Sequence, residues 1–175
     1  MALLLQPSPK TLSPQPQAPD RPPQRAHQPP RYLHVVLDCN VFVSALLSSD
    51  GAPAQILERW ADGAFDLIIS PLLLAELERV LGRPKFRASI DAIHAEALLS
   101  GVIDDGLLVE DPPPQLGLTP DPGDDYLVAL ARKADAHCIV SGDAHLRELT
   151  DAVPPVLTPR EFLARPEEPL QISPT

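Results

Sequence analysis

The chain of 175 residues has little of several things that would have set its class at once. It holds two cysteines, Cys39 and Cys138, too few for a disulfide framework or a cysteine-based zinc centre. Aromatic residues make up 4% of it, and its one tryptophan, Trp60, lies in a helical stretch with Ile56 and Leu57, where it reads as core rather than as a platform for bases. No apolar run approaches the roughly 20 residues of a membrane span. Positive charge is in the minority, with 14 Lys and Arg against 24 Asp and Glu and a formal net charge of −10. That balance argues against a protein that coats nucleic acid by charge alone. It leaves open an enzyme that meets nucleic acid through metal ions. There is no glycine-rich phosphate loop, no HExxH and no internal repeat. The apolar start Leu3–Leu5 is too short for a secretory core and lacks a basic flank, so a cytoplasmic location is expected.

What is abundant is proline, and it is unevenly spread: nine of the 23 prolines fall within the first 30 residues. Residues 1–30 have no apolar periodicity and too little hydrophobic area to offset chain entropy, so they read as a disordered or polyproline-like tail. Residues 31–165 read as one domain, and residues 166–175 as a short flexible tail. Within the domain, Leu33–Leu37, Asp66–Ser70, Leu107–Glu110, His137–Val140 and Pro155–Leu157 are short apolar runs with strand character. Helical spacing covers residues 40–47, 53–61, 71–81, 89–99, 124–134, 144–149 and 159–165, and residues 111–123 form a Pro-, Gly- and Asp-rich loop. Strands without a polar face, alternating with helices, predict an α/β fold: a three-layer α/β/α sandwich around a mostly parallel sheet of four to five strands.

Most acidic residues of such a chain are solvated surface, so position has to discriminate among them. Asp38 follows Val35-Val36-Leu37 at the carboxyl end of the first strand. Asp143 follows Ile139-Val140-Ser141-Gly142 beyond the fourth. Asp124 and Asp125 open the helix that leads into that strand. In open parallel sheets the functional crevice lies outside the carboxyl ends of the strands. Glu76, in Leu72-Leu73-Leu74-Ala75-Glu76-Leu77, is flanked by apolar positions one turn away, and a burial-prone carboxylate needs a partner or a cation. Each residue also has a structural reading. Asp124 or Asp125 suits a helix N-cap, Asp143 a cap for the following helix, Asp38 an Asx turn, and Glu76 a half-exposed helix surface. Taken together, carboxylates gathered in one crevice repel one another unless a hard divalent cation, Mg²⁺ or Mn²⁺, sits among them. Such a cation can drive attack of water on a phosphodiester.

At these residues the chain resembles the PIN-domain family, in particular its bacterial toxin-like members. The matching pieces are Val35-Val36-Leu37-Asp38-Cys39-Asn40-Val41, Ser70-Pro71 through Leu77, Asp121-Pro122-Gly123-Asp124-Asp125-Tyr126-Leu127, and Ile139-Val140-Ser141-Gly142-Asp143. Arg83-Pro84-Lys85-Phe86 adds to them, and the resemblance runs from about residue 33 to 163. It implies an α/β/α sandwich and a Mg²⁺- or Mn²⁺-dependent endoribonuclease, the toxin of a type II toxin–antitoxin pair. Carried over by position, Asp38, Glu76, Asp125 and Asp143 are the catalytic and metal-binding acids. Asp125 is preferred to Asp124 because it leads the Asp-Tyr-Leu-Val-Ala-Leu-Ala stretch. Asp124 and Asp121 are then outer acids, Asn40 orients Asp38, and Ser141 supplies a hydroxyl. Partners implied are an RNA substrate, a cognate antitoxin and a second copy of the chain, with no membrane. Cys39 stands where the family often has Thr, and Gly123 replaces a frequent acid.

Two other readings compete. A PIN-like scaffold would bind RNA or a protein partner without cutting, and metal titration separates it from the enzyme. A haloacid-dehalogenase-like phosphatase would use Asp38 as nucleophile, but it wants an acid where Asn40 stands and has only Lys85 between its motifs. Arg83, Lys85 and Arg87 suit either RNA phosphates or a solvated loop. His34, His137 and His145 read as structural or surface residues.

Overall fold

The computed structural model describes residues 33–149 and 154–165. The expected tails over 1–30 and 166–175 lie outside these residues. The chain divides into two units, Met1–Pro30 and Arg31–Thr175, and the second carries every described element.

Five strands form the sheet: β1 (Leu33–Leu37), β2 (Phe65–Ile69), β3 (Leu107–Leu108), β4 (Cys138–Val140) and β5 (Val156–Leu157). All neighbouring pairs are parallel and the spatial order is β3-β2-β1-β4-β5. Parallel strands covered on both faces need no polar face, which is why β1 and β4 read as unbroken apolar runs. Val35, Val36, Leu37, Cys138, Ile139 and Val140 are all fully buried. The predicted α/β architecture is the one observed, with all strands parallel.

The connections are α1 (Cys39–Leu47) and α2 (Ala52–Ala61), then α3 (Pro71–Leu81), α4 (Pro84–Arg87) and α5 (Ala92–Asp105). After β3 come α6 (Asp125–Lys133), α7 (Ala144–Arg147) and α8 (Pro159–Leu163). The chain winds outward from β1 to β2 and β3, then returns to the other side of β1 with β4 and β5. Right-handed crossovers therefore place the helices of the first half and α6 on opposite faces. The reversal falls between β1 and β4, and there the ends of neighbouring strands open a crevice.

Several bounds differ from expectation: β3 ends at Leu108 rather than Glu110, α5 begins at Ala92 rather than Ser89, and two larger differences concern α4 and the end of α5. The α4 turn carries no sequence signal, since four residues are too few for a periodic pattern; Phe86 anchors it against a small cluster of Val43, Val80 and Ile90. Helix α5 runs to Asp105 rather than Leu99, because Val102 is buried against the main core and holds the helix past Ser100-Gly101. Gly106 then lets the chain pass closely into β3. A Cβ there would lie 2.5 Å from the Val102 carbonyl oxygen and 2.7 Å from Ile69 Cδ1. Gly106→Ala is expected to cost about 1–3 kcal/mol of unfolding free energy through overpacking. Chemical denaturation reads this directly, and an unchanged midpoint would contradict it.

Candidate active site

Asp38 is the first residue past β1, and the β1–β4 ladder fixes it. Its backbone N–H donates to the Val140 carbonyl at 3.0 Å. The residue is 6% exposed and both of its carboxylate oxygens are engaged. Oδ1 accepts the Asn40 N–H at 3.0 Å, capping α1, and Oδ2 accepts the Ser141 hydroxyl at 2.6 Å. Burial raises the Asp38 pKa, the bonds from Ser141 and Asn40 oppose the rise, and the nearby Asp143 charge adds to it. The Ser141 oxygen in turn accepts the Asp143 N–H at 2.9 Å. Asp143 Oδ1 accepts the His145 N–H at 2.7 Å and so caps α7. Asp143 caps α7 as expected, and Asp38 makes the expected Asx-type bond to the Asn40 N–H and so also caps α1; these bonds fix both carboxylates at the β1–β4 edge.

Glu76 comes from α3. Ser70 caps that helix through the Leu73 N–H at 3.3 Å, Pro71 opens it, and Leu73, Leu77 and Val80 bury its inner face. Glu76 borders that face, with its side chain 29% exposed. Its Oε1 is held by the Arg79 guanidinium at 3.2 Å. Cys39, at the start of α1, is buried, and its thiol pKa is pushed up to about 12 by burial, with the Glu76 and Asp38 charges adding to the shift. It is an inert thiol, as its small, apolar character suggests.

The two adjacent acids of α6 part company. Asp125 is the third site acid by sequence position, and the geometry does not support that. The residue is 2% exposed, with its carboxylate turned into the preceding loop. Oδ2 accepts the Gly117 N–H at 2.8 Å, and Oδ1 accepts the Thr119 N–H at 2.7 Å and the Thr119 hydroxyl at 2.9 Å. Burial acts to raise its pKa, but the bonds from Thr119, Gly117 and Leu118 outweigh it and the net shift is downward. A carboxylate with its lone pairs so committed is a clamp for the loop. Asp124 instead occupies the N-cap position of α6 with no side-chain capping bond. Its pKa is raised to about 6, first by burial and then by the charges of Asp38, Asp121, Asp143 and Glu76. Asp121 is exposed and closes its own turn by accepting the Gly123 N–H at 2.9 Å. The structure thus brings Asp38, Glu76, Asp124 and Asp143 into one electrostatic group, with Asp121 at its margin, and leaves Asp125 behind it.

Helix periodicity places Asp124 and Asp125 about 100° apart but does not say which of them faces the crevice, because the partner of Asp125 lies in an irregular loop. Thr119 and Tyr126 carry no signal of their own. Among the described residues, no three His, Cys, Asp or Glu side chains stand close enough together to hold a metal ion. The donor chemistry nonetheless suits a hard divalent cation: the candidate donors are carboxylates, and their repulsion helps lift Asp124.

Residues 34–145 match the PIN domain family, and the chain belongs to that family. VapBC2 from Rickettsia felis, crystallised with a DNA fragment from its promoter, matches 72% of this chain and 98% of its own at 14% identity, with a TM-score of 0.50. PAE2754 from Pyrobaculum aerophilum matches 76% of this chain and 88% of its own at 18% identity, with a TM-score of 0.54. At those identities the likeness is one of fold. No curated protein matches the chain at a significant level. No helix among the described residues is long and apolar enough to cross a membrane.

Proposed function

We propose that this PIN-domain chain is a Mg²⁺- or Mn²⁺-dependent endoribonuclease. The observation that supports the reading is the electrostatic grouping of carboxylates from separate elements about the crevice where strand order reverses: the pKa of Asp124 is raised to about 6, first by burial and then by the charges of Asp38, Asp121, Asp143 and Glu76. Asp38, Glu76, Asp124 and Asp143 would hold the cation, with Asp124 taking the place first expected for Asp125. The chemistry supplied by such a cation is activation of water and neutralisation of charge on the phosphodiester. The protein's own groups prepare for it. Ser141 and Asn40 orient Asp38 and favour its charged form against burial. Asp143 is fixed by its bonds to Ser141 and His145. Asp125 holds the 117–119 loop against the start of α6, and so sets where Asp124 stands.

A toxin role, a cytoplasmic location, a homodimer and a cognate antitoxin follow from the resemblance to toxin-like PIN proteins. The acidic edge suits a basic antitoxin segment, in which an arginine would pair with the carboxylates. A complex that survives removal of every basic residue from that segment would contradict this.

Cleavage of a fluorogenic single-stranded RNA by the full chain tests the enzyme reading. Cutting is expected with Mn²⁺ and with Mg²⁺, and EDTA should abolish it. Undiminished cutting in EDTA would sink the metal dependence. A folded protein that neither cuts RNA nor binds Mn²⁺ would be a scaffold.

A further inference from the structure

Helix α6 sends one more polar atom toward the acids. The Tyr126 hydroxyl is the only buried side-chain polar atom among the described residues without a hydrogen-bond partner. Its electrostatic neighbours are the Cys39 thiol and the carboxylates of Glu76 and Asp38. Glu76 and the Cys39 thiol both lie beside the hydroxyl, yet neither makes a bond of normal geometry with it. Glu76 is instead engaged by Arg79, which holds Oε1 at 3.2 Å. A buried hydroxyl left unpaired is a cost to folding, one that a phenylalanine ring of the same shape would not carry. The remainder of the Tyr126 ring packs against the main core, so the oxygen is held in place and cannot turn to solvent for a partner.

We propose that Tyr126 is a positioning residue for Glu76: when Glu76 leaves Arg79 and turns into the crevice, the Tyr126 hydroxyl donates to one carboxylate oxygen and leaves the other aimed at the cation. The inference rests on the metal-dependent reading above. A phenol is suited to the task because it is a donor with few rotatable bonds, so it restricts the rotamer of a carboxylate that otherwise swings on a half-exposed helix surface. The hydroxyl and the guanidinium compete for one carboxylate, and the two orientations of Glu76 exchange one partner for the other. Partners of this kind fix the orientation of a metal-binding side chain without touching the metal.

The test is Mn²⁺ affinity of the full chain, measured by titration calorimetry on wild type, Tyr126→Phe, Glu76→Gln and the double variant. Tyr126→Phe should weaken Mn²⁺ binding about 10-fold, the lower end of what loss of an outer partner costs. Its melting temperature without metal should equal or exceed that of wild type, because an unpaired hydroxyl has gone. In the Glu76→Gln background the same change should have no further effect on Mn²⁺ affinity, since Tyr126 acts through Glu76. Affinity within about twofold of wild type in Tyr126→Phe overturns the assignment, being well short of the loss an outer partner causes. So does an equal loss in both backgrounds, or a lowered melting temperature, which would mark the residue as packing only. A wild-type protein that binds no Mn²⁺ removes the metal-dependent reading itself, whereas unchanged binding in Tyr126→Phe removes only the role of Tyr126.

Discussion

Asp38→Asn is expected to leave the protein folded and to reduce cleavage of single-stranded RNA by at least about 100-fold, the scale of losing one preorganised electrostatic group at a reacting centre. The substitution keeps the shape. The amide oxygen can still accept the Asn40 N–H, and the amide nitrogen can donate to Ser141 Oγ, which already accepts from Asp143. What disappears is charge at the one position where β1, β4 and α1 meet. Burial already raises the Asp38 pKa, so the charged form is disfavoured in the folded protein, and a neutral isostere relieves that cost. Thermal melting at neutral pH should therefore show no loss, while the cleavage assay shows a large one. Wild-type cutting by this variant would end the proposed mechanism.

The adjacent acids of α6 should respond in opposite ways. Asp124→Asn should abolish cleavage and raise the melting temperature at a pH of about 8, where the carboxylate is fully charged. The sign comes from its folded pKa of about 6 against an ordinary value of 3.8. Between these values the folded state binds more protons than the unfolded, so the protein without metal loses stability as pH rises through that window. Above it the Asp124 charge is a full liability, and the variant gains most. At a pH of about 5 the gain should be smaller, because folded Asp124 is then largely protonated. Asp125→Asn should do the reverse. Its carboxylate accepts three bonds from Gly117 and Thr119, and an amide nitrogen would meet donors there. Its folded pKa is depressed below 3.8, so its stabilisation is present above 3.8 and is lost as pH falls through that lower value. The melting temperature of Asp125→Asn should thus fall below wild type at neutral pH, and the difference should shrink in acid. Cleavage should be reduced, as the loosened loop misplaces Asp124, but not abolished well below the melting temperature. If Asp125→Asn is folded and inactive while Asp124→Asn cuts normally, the third acid is Asp125 after all.

The sequence by itself determined most of the sheet and the placing of two acids of the candidate site. Short apolar runs with no polar face, alternating with helices, suit strands of a covered parallel sheet, and β1 and β4 are buried as that requires, whereas the β3 leucines at the sheet edge are exposed. Asp38 and Asp143 were legible for the same reason: each directly follows such a run, and that end of a parallel sheet is where crevices form. The Ser70-Pro71 start of α3 marked a helix, and so put Glu76 on the border of its buried face. Tertiary structure alone decided which way neighbouring side chains point. Asp124 and Asp125 are the same residue type, one position apart, at the mouth of one helix. They separate only because the loop at Gly117 and Thr119 folds back to claim one of them. Arg79 on Glu76 and the unpaired Tyr126 hydroxyl were equally invisible. A carboxylate's partner depends on loops and facing helices distant in the chain, and periodicity carries no information about contacts of that kind.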